Sequence, residues 1–189
     1  MTVTAIVYSV GDTGPGGGTI FYVATTPFAC GPTLASSCTY LEAAPSGWNT
    51  GTDPILTWAN TDNEGTAVGS SGSPETATAT GIGWGYRNTR AIILQGNADT
   101  ATSAAALADS HTVTVSGVVY DDWYLPSSEE LDQLYLERDT VGGFVDEYYW
   151  SSSEWNLFGS IARIQDFDDG DKNFNLKKFD NYVRPVRAF

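Results

Sequence analysis

The sequence predicts an α+β domain with long, ordered loops, and three observations point there. Asp169-Gly170 sits between strand-like runs in IARIQDFDDGDKNFNL, and that dipeptide between alternating segments marks a β-hairpin turn. Ser127-Ser-Glu-Glu130, just after Pro126, fits a capping box with Ser127 as N-cap and Glu130 reaching back. The chain stops on Phe189 inside the apolar run VRPVRAF. A terminus of that kind is expected to be tied into a sheet, since untethered ends fray.

The elements follow in order. Residues 1–9 are β-prone (Val3, Ile6, Val7, Tyr8) and are expected to form an attachment arm, with one domain over residues 10–189. GDTGPGGG over 11–18 has no following Gly-Lys-Ser/Thr, so it is a tight turn and not a phosphate cradle. Thr19–Val23 reads as a buried strand and Tyr40–Ala44 as a second one. From Pro45 to Gly85 the composition is Gly, Ser, Thr and Asn with Trp48, Trp58 and Trp84 interspersed. Tryptophan carries much burial per residue, so these loops are expected to be pinned and ordered. Asn88–Gln95 and Thr100–Ala108 read as helices. The capped helix has Leu131, Leu134 and Tyr135 on one face, runs to about Arg138, and stops at Gly142-Gly143. Tyr148–Ser151 opens the terminal sheet. On its return strand Phe174 and Leu176 share one face, and Asn173, Asn175 and Lys177 the other. Trp150 and Phe174 are expected to be buried.

Composition limits the partners. Of 189 residues 41% are hydrophobic and 13% aromatic, enough for a core. Nine Lys and Arg face 23 Asp and Glu, a net charge of −14. Such a surface repels phosphate backbones and polyanionic sugars, so nucleic acid is not an expected partner. No segment is long and apolar enough for membrane insertion, and MTVTAIVYSVGD does not read as a signal peptide. Cys30 and Cys38 enclose CGPTLASSC. Their spacing is not that of a metal or redox motif. A disulfide is expected, with two inert thiols as the alternative.

Catalytic patterns are sparse. His111 stands alone in a polar run and reads as a surface or loop residue. Ser151–Ser153 lack a G-x-S-x-G elbow and an evident base. Nothing nominates a glycosidase carboxylate pair. The acidic run Asp166, Asp168, Asp169, Asp171 is the one candidate for calcium. With Gly170 at the fixed glycine of an EF-hand loop, however, Gln165 and Phe167 occupy ligand positions. A solvated turn is expected there, with no cofactor. The hairpin neighbourhood instead mixes aromatics, amides and several of the chain's few cations. Trp155, Asn156, Phe158, Arg163, Asp166, Asp168, Lys172, Asn173, Asn175 and Lys178 are its candidate ligand-binding residues.

Several motifs carry a family resemblance: GDTGPGGGTIFYV, YLEAAPSGW, DDWYLPSSEELDQLY, GGF, YYWSSSE and VRPVRAF. Together they resemble the Lcl C-terminal-type domain, named after a bacterial collagen-like adhesin. That family is similar to the formylglycine-generating sulfatase-modifying group and to the variable proteins of diversity-generating retroelements. The resemblance implies a C-type-lectin-like fold: paired N- and C-terminal strands, two or three helices, and a terminal β region presenting a ligand surface. In the retroelement proteins the positions between the WSSSE-like and VRPVR-like motifs vary among copies, and the matching stretch here is Trp155–Tyr182. The sulfatase-modifying activity is not implied, because its cysteines lie in the C-terminal half and this chain has none there. The Glu/Gln-Pro-Asn and Trp-Asn-Asp patterns of calcium-dependent sugar binding are also absent.

These readings converge on a non-enzymatic recognition domain at a phage virion surface, binding a host surface glycan or protein or decorating the capsid or tail. Neighbouring virion structural proteins are the expected attachment partners. A homotrimer is the assembly to expect from the threefold symmetry common in fibres, though no residue pattern encodes it. One alternative is a module of a secreted or cell-surface bacterial adhesin. Another is a purely structural capsid cement protein.

Overall fold

A computed structural model describes residues 6–69, 75–155 and 159–189. In chain order the strands and helices are β1 (Thr19–Cys30), β2 (Ser36–Ala43), β3 (Ile55–Thr57), α1 (Gly85–Leu94), α2 (Ala104–Asp109), β4 (Val113–Val115), β5 (Val118–Tyr120), α3 (Ser128–Leu136), α4 (Arg138–Val141), β6 (Tyr148–Glu154), β7 (Ile161–Asp166), β8 (Lys172–Leu176), β9 (Asp180–Tyr182) and β10 (Val186–Ala188). The architecture is mixed α+β. The described strands form three sheets, ordered β1-β2-β10, β3-β9-β6-β7-β8 and β4-β5.

The first two strands are longer than the sequence suggests. They form one antiparallel hairpin whose far end carries the Cys30–Cys38 disulfide, with Cα atoms 6.0 Å apart. The bridge clamps an otherwise exposed tip. On the chain-entropy argument, replacing both cysteines by serine removes ~2.5 kcal/mol. A urea titration with and without the bridge should show that loss as a lowered midpoint.

The tail enters the same sheet, although β2 lies between β10 and β1. Phe189 exchanges backbone hydrogen bonds with Tyr40, its N–H donating to the Tyr40 carbonyl and its carbonyl accepting from the Tyr40 amide. Tyr8 sets its ring edge against both Tyr40 and Phe189, at centroid distances of 5.3 and 5.5 Å. Residues 8 and 189 therefore meet on one side chain. Residues 1–5 of the expected arm lie outside the described residues.

The capping box is present as the sequence predicts. Ser127 accepts from the Glu130 amide, and Glu130 accepts from the Ser127 amide. The helix ends two residues before Arg138, and α4 adds a single turn before Gly142 and Gly143, both at φ +74°. Ser103 caps α2, so that helix starts at Ala104 and not at Thr100. Helix α1 starts three residues ahead of Asn88. The hairpin β4–β5 turns on Ser116-Gly117, both at positive φ. This hairpin is not among the elements expected from the sequence, although Ser-Gly is a turn dipeptide.

The five-stranded sheet carries a core on each face because alternate residues of a strand point oppositely. Trp150, Ala162 and Ile164 pack with Trp58, Ile92 and the alanines of α2. On the other face Tyr149 packs with Phe167, Phe21, Leu131 and Leu134. Trp58 and Trp150 are fully buried, and their indole N–H groups donate to the carbonyls of Ser151 and Leu56, both at 2.8 Å. Of the loop tryptophans, Trp58 is thus pinned as expected and Trp48 is anchored by its indole N–H to Asp53, whereas Trp84 is only half-buried.

Two expectations fail. Phe174 is 49% exposed, because β8 is the edge strand and, among the described residues, the Trp155 ring covers that side only in part. Lys177 does not share a solvent face with Asn173 and Asn175. It lies just past the end of β8, where strand parity no longer applies, and is fully buried against Glu154.

Lys177 is one of three buried cations in the C-terminal segment, each paired with an acid from elsewhere. Arg184 pairs with Asp53, and Arg187 with Glu42. Glu42 also accepts the amides of Gly16 and Gly18, so the glycine-rich loop wraps a protein carboxylate. Side chains at Gly16 and Gly18 would collide with Glu42 and the Ala43 carbonyl, which explains the glycines.

Candidate functional site

The hairpin predicted around Asp169-Gly170 is β7–β8, with Arg163 opposite Phe174 and Ile164 opposite Asn173. The pleat therefore divides the nominated residues. Arg163, Lys172 and Phe174 lie on one face of the hairpin; Asp166, Asn173 and Asn175 lie on the other. One ligand surface does not contain them all.

The first face is an aromatic platform. Trp155, which leaves β6 and bonds its amide back to the Ile161 carbonyl, packs on Phe174 at 4.9 Å with the rings inclined by 36°. The Arg163 guanidinium lies over the Trp155 ring, 4.7 Å from its centroid. Such aromatic pairs contribute about 0.5–1.5 kcal/mol beyond area burial, and an exposed cation–π contact about 0.5–1 kcal/mol. The cluster is held in place before any ligand arrives. A pocket of about 140 Å³ opens beside it, lined by Thr78, Glu154, Trp155 and Arg163. Among the described residues the Arg163 Nε is buried without a hydrogen-bond partner. Asn156 and Phe158 lie outside the described residues.

The remaining nominees play smaller parts. Lys172 pairs with Asp132 at 2.8 Å, and its side chain is 55% exposed; a pair at this exposure adds little stability. Lys178 is exposed beside Phe179. The acidic run builds its own turn: Asp166 accepts from the Asp168 amide and Asp169 from the Asp171 amide, both at 2.9 Å. Among the described residues no three His, Cys, Asp or Glu side chains converge to hold a metal ion.

Asn173 and Asn175 mask the strand edge. Each amide oxygen accepts the next residue's backbone N–H, from Phe174 and Leu176, at 2.9 Å. Those N–H groups face away from β7 and would otherwise be open to another strand. Occupying them discourages strand addition. The hairpin is thus suited to recognition through side chains.

The serine run serves the scaffold. The hydroxyls of Ser151, Ser152 and Ser153 donate to the backbone carbonyls of Arg163, Pro126 and Ala79, tying β6 to β7 and to two loops. His111 is a loop residue, half-buried between the rings of Trp48 and Trp123, and burial lowers its pKa.

Glu130 is a second structural hub that spacing revealed only in part. Besides capping α3, it accepts from the Gly83 amide at 2.8 Å and the Tyr124 hydroxyl at 3.3 Å. Burial pushes its carboxyl up to about 7, against the pull of these donors. Its ordinary value is 4.5. The unfolded chain therefore loses this proton at lower pH than the folded one. The stability contributed by Glu130 is fully present below pH 4.5 and is lost as pH rises through 7. The span corresponds to roughly 3 kcal/mol. Comparing unfolding free energies of the wild type and Glu130→Gln from pH 4.5 to 8 should show a fall with pH that the variant lacks.

No protein-family model matches the chain, and no curated protein matches it.

Proposed function

We propose that this chain is a non-enzymatic recognition domain of C-type-lectin-like architecture, displayed on the outside of a phage particle. It binds a host surface glycan or protein through the Trp155–Arg163–Phe174 face of the β7–β8 hairpin. The observation that carries this reading is the platform itself: a half-exposed phenylalanine and an indole packed together, an arginine over the indole, and a pocket alongside. A sugar ring offers an apolar face to the indole and hydroxyl oxygens to the Arg163 guanidinium that lines the pocket. The net charge of −14 favours a neutral ligand over a polyanionic one.

Other features support the setting. The Cys30–Cys38 disulfide suits oxidising surroundings. The first strand and the tail share one sheet, as in a C-type-lectin-like domain, although both pair with β2 and not with each other as expected. Ile6 and Val7, 72% and 80% exposed, favour an arm that attaches to a neighbouring subunit. They equally favour the cementing role, in which the arm and not the hairpin makes the principal contact.

Adsorption to host cells and binding to a glycan array test the reading. Trp155→Ala should weaken binding about tenfold or more, with its unfolding midpoint near the wild-type value. Asn175→Ala, on the opposite face, should leave binding intact. Binding untouched by Trp155→Ala and Phe174→Ala would refute the nominated face.

A further inference from the structure

A second pocket, remote in sequence from the hairpin, opens where the disulfide tip of β1–β2 approaches α1. It has a volume of about 200 Å³, with walls from Cys30, Cys38, Pro32, Tyr86, Tyr124 and Ala188 and a carboxylate from Asp122. We propose that this pocket binds an organic ammonium ion, with Asp122 as counter-ion and the tyrosine rings as walls. The proposal does not depend on the function assigned to the hairpin.

Charge comes first. Arg187 is 7% exposed and divides one guanidinium between two carboxylates, Glu42 and Asp122. Its Nε and Nη2 meet Asp122 at 2.7 and 2.9 Å. The Asp122 side chain remains 42% exposed, and a carboxylate has about four lone-pair sites, so it can accept again from the pocket side. Asp109 and Asp121 add negative charge nearby, with Arg90 opposing them. Three acids (Asp109, Asp121, Asp122) thus act on Tyr86 against one guanidinium, Arg90. The Tyr86 phenol registers the result: its pKa is raised by burial first and by Asp109, Asp122 and Asp121 besides.

The walls decide what kind of cation fits. Tyr86 and Tyr124 stand edge-to-face with centroids 5.7 Å apart. The Tyr124 hydroxyl is committed to Glu130, so Tyr124 offers the pocket mainly ring carbon. Pro32, Ala188 and the two cysteines add apolar surface, and Gly31 and Ser36 complete the lining. A hard metal ion wants six or more oxygens, and this pocket presents one carboxylate. An alkylated ammonium wants one anion and aromatic surface, which is what the pocket holds. An anion would meet a negative field, and a neutral ligand would leave the exposed side of the Asp122 carboxylate without a cation.

The test is an amide chemical-shift titration of the folded chain at constant ionic strength. The probes are tetramethylammonium, butylammonium and, as a neutral control, 1-butanol. Both cations should give saturable shifts at Gly31, Ser36, Tyr86 and Ala188, and 1-butanol should not. Tighter tetramethylammonium binding would identify a quaternary headgroup as the natural ligand, and tighter butylammonium a lysine-like amine. Tyr86→Leu should weaken binding about tenfold. Because Asp122→Asn also touches Arg187 and risks misfolding, Asp121→Asn serves as the second charge probe and should weaken binding roughly two- to threefold. Equal shifts from 1-butanol, shifts that never saturate, or full affinity in both Tyr86→Leu and Asp121→Asn would overturn the proposal.

Discussion

Arg184→Met is expected to destabilise the fold by about 3–5 kcal/mol, the usual cost of stranding one member of a buried ion pair. Both side chains of the Arg184–Asp53 pair are fully buried. Arg184 Nε reaches both Asp53 oxygens, at 2.8 and 2.9 Å, and its remaining N–H groups donate to the carbonyls of Ala44, Gly142 and Gly143. Asp53 also accepts from the Trp48 indole at 2.9 Å and the Tyr149 hydroxyl at 2.8 Å. Burial first, and Asp53 second, push the Tyr149 phenol far up, so it stays a donor. One guanidinium thereby ties together the β2 end, the glycine stop after α4, the start of β3 and the final strand. Methionine keeps the bulk but leaves Asp53 charged and three carbonyls without their donor. The double variant Asp53→Ala/Arg184→Met should recover part of the loss, because no stranded charge remains. Chemical denaturation of the two single variants and the double measures the coupling. A cycle that sums additively would mean the pair does not hold the tail.

Gly83→Ala should be comparably damaging, for a different reason. Gly83 adopts φ +89°, and a Cβ there would overlap the backbone carbonyl oxygen of Ala29. A carbonyl inside the β1–β2 hairpin cannot swing aside as a flexible side chain can. The Gly83 amide also donates to Glu130, so any retreat from Ala29 weakens the hub that caps α3. Left-handed strain of roughly 1–2 kcal/mol and overpacking of about 1–3 kcal/mol suggest a loss on the order of 3 kcal/mol. Gly117→Ala makes a control, since it shares the positive φ of +83° but has open space around it. Thermal unfolding should show a much larger fall for Gly83→Ala than for Gly117→Ala. Equal shifts would mean that backbone strain alone, and not the contact with Ala29, sets the cost.

Features governed by neighbours in sequence were readable in advance. The capping box at Ser127 and Glu130 and the turn at Gly170 are local, so their residues announced them. The glycine stop at Gly142-Gly143 is equally local. The ion pairs were not readable, because Arg184 and Asp53 are 131 residues apart and Arg187 and Glu42 are 145 apart. A signal existed all the same. Two arginines inside the apolar VRPVRAF run cannot be buried without partners, so the run implied two distant acids. Phe174 and Leu176 were correctly assigned to one face, but nothing in the alternation says which face of an edge strand is covered. The candidate site was legible as a composition, aromatic, amide and cationic. Its division into two faces needed the register of β7 against β8. The disulfide pocket was invisible, since its walls come from residues 30 to 188 and meet only in the folded chain.

The recognition claim is tested most directly at the indole of Trp155. Nitrogen-15 labelling of the six tryptophans gives each indole N–H its own resonance, and the folded chain can be titrated with glycans released from the host surface. The Trp155 signal should shift saturably, while those of the buried Trp58, Trp123 and Trp150 stay still, and Phe174→Ala should abolish the shift. A ligand that binds the chain yet leaves the Trp155 resonance unmoved would contradict the account.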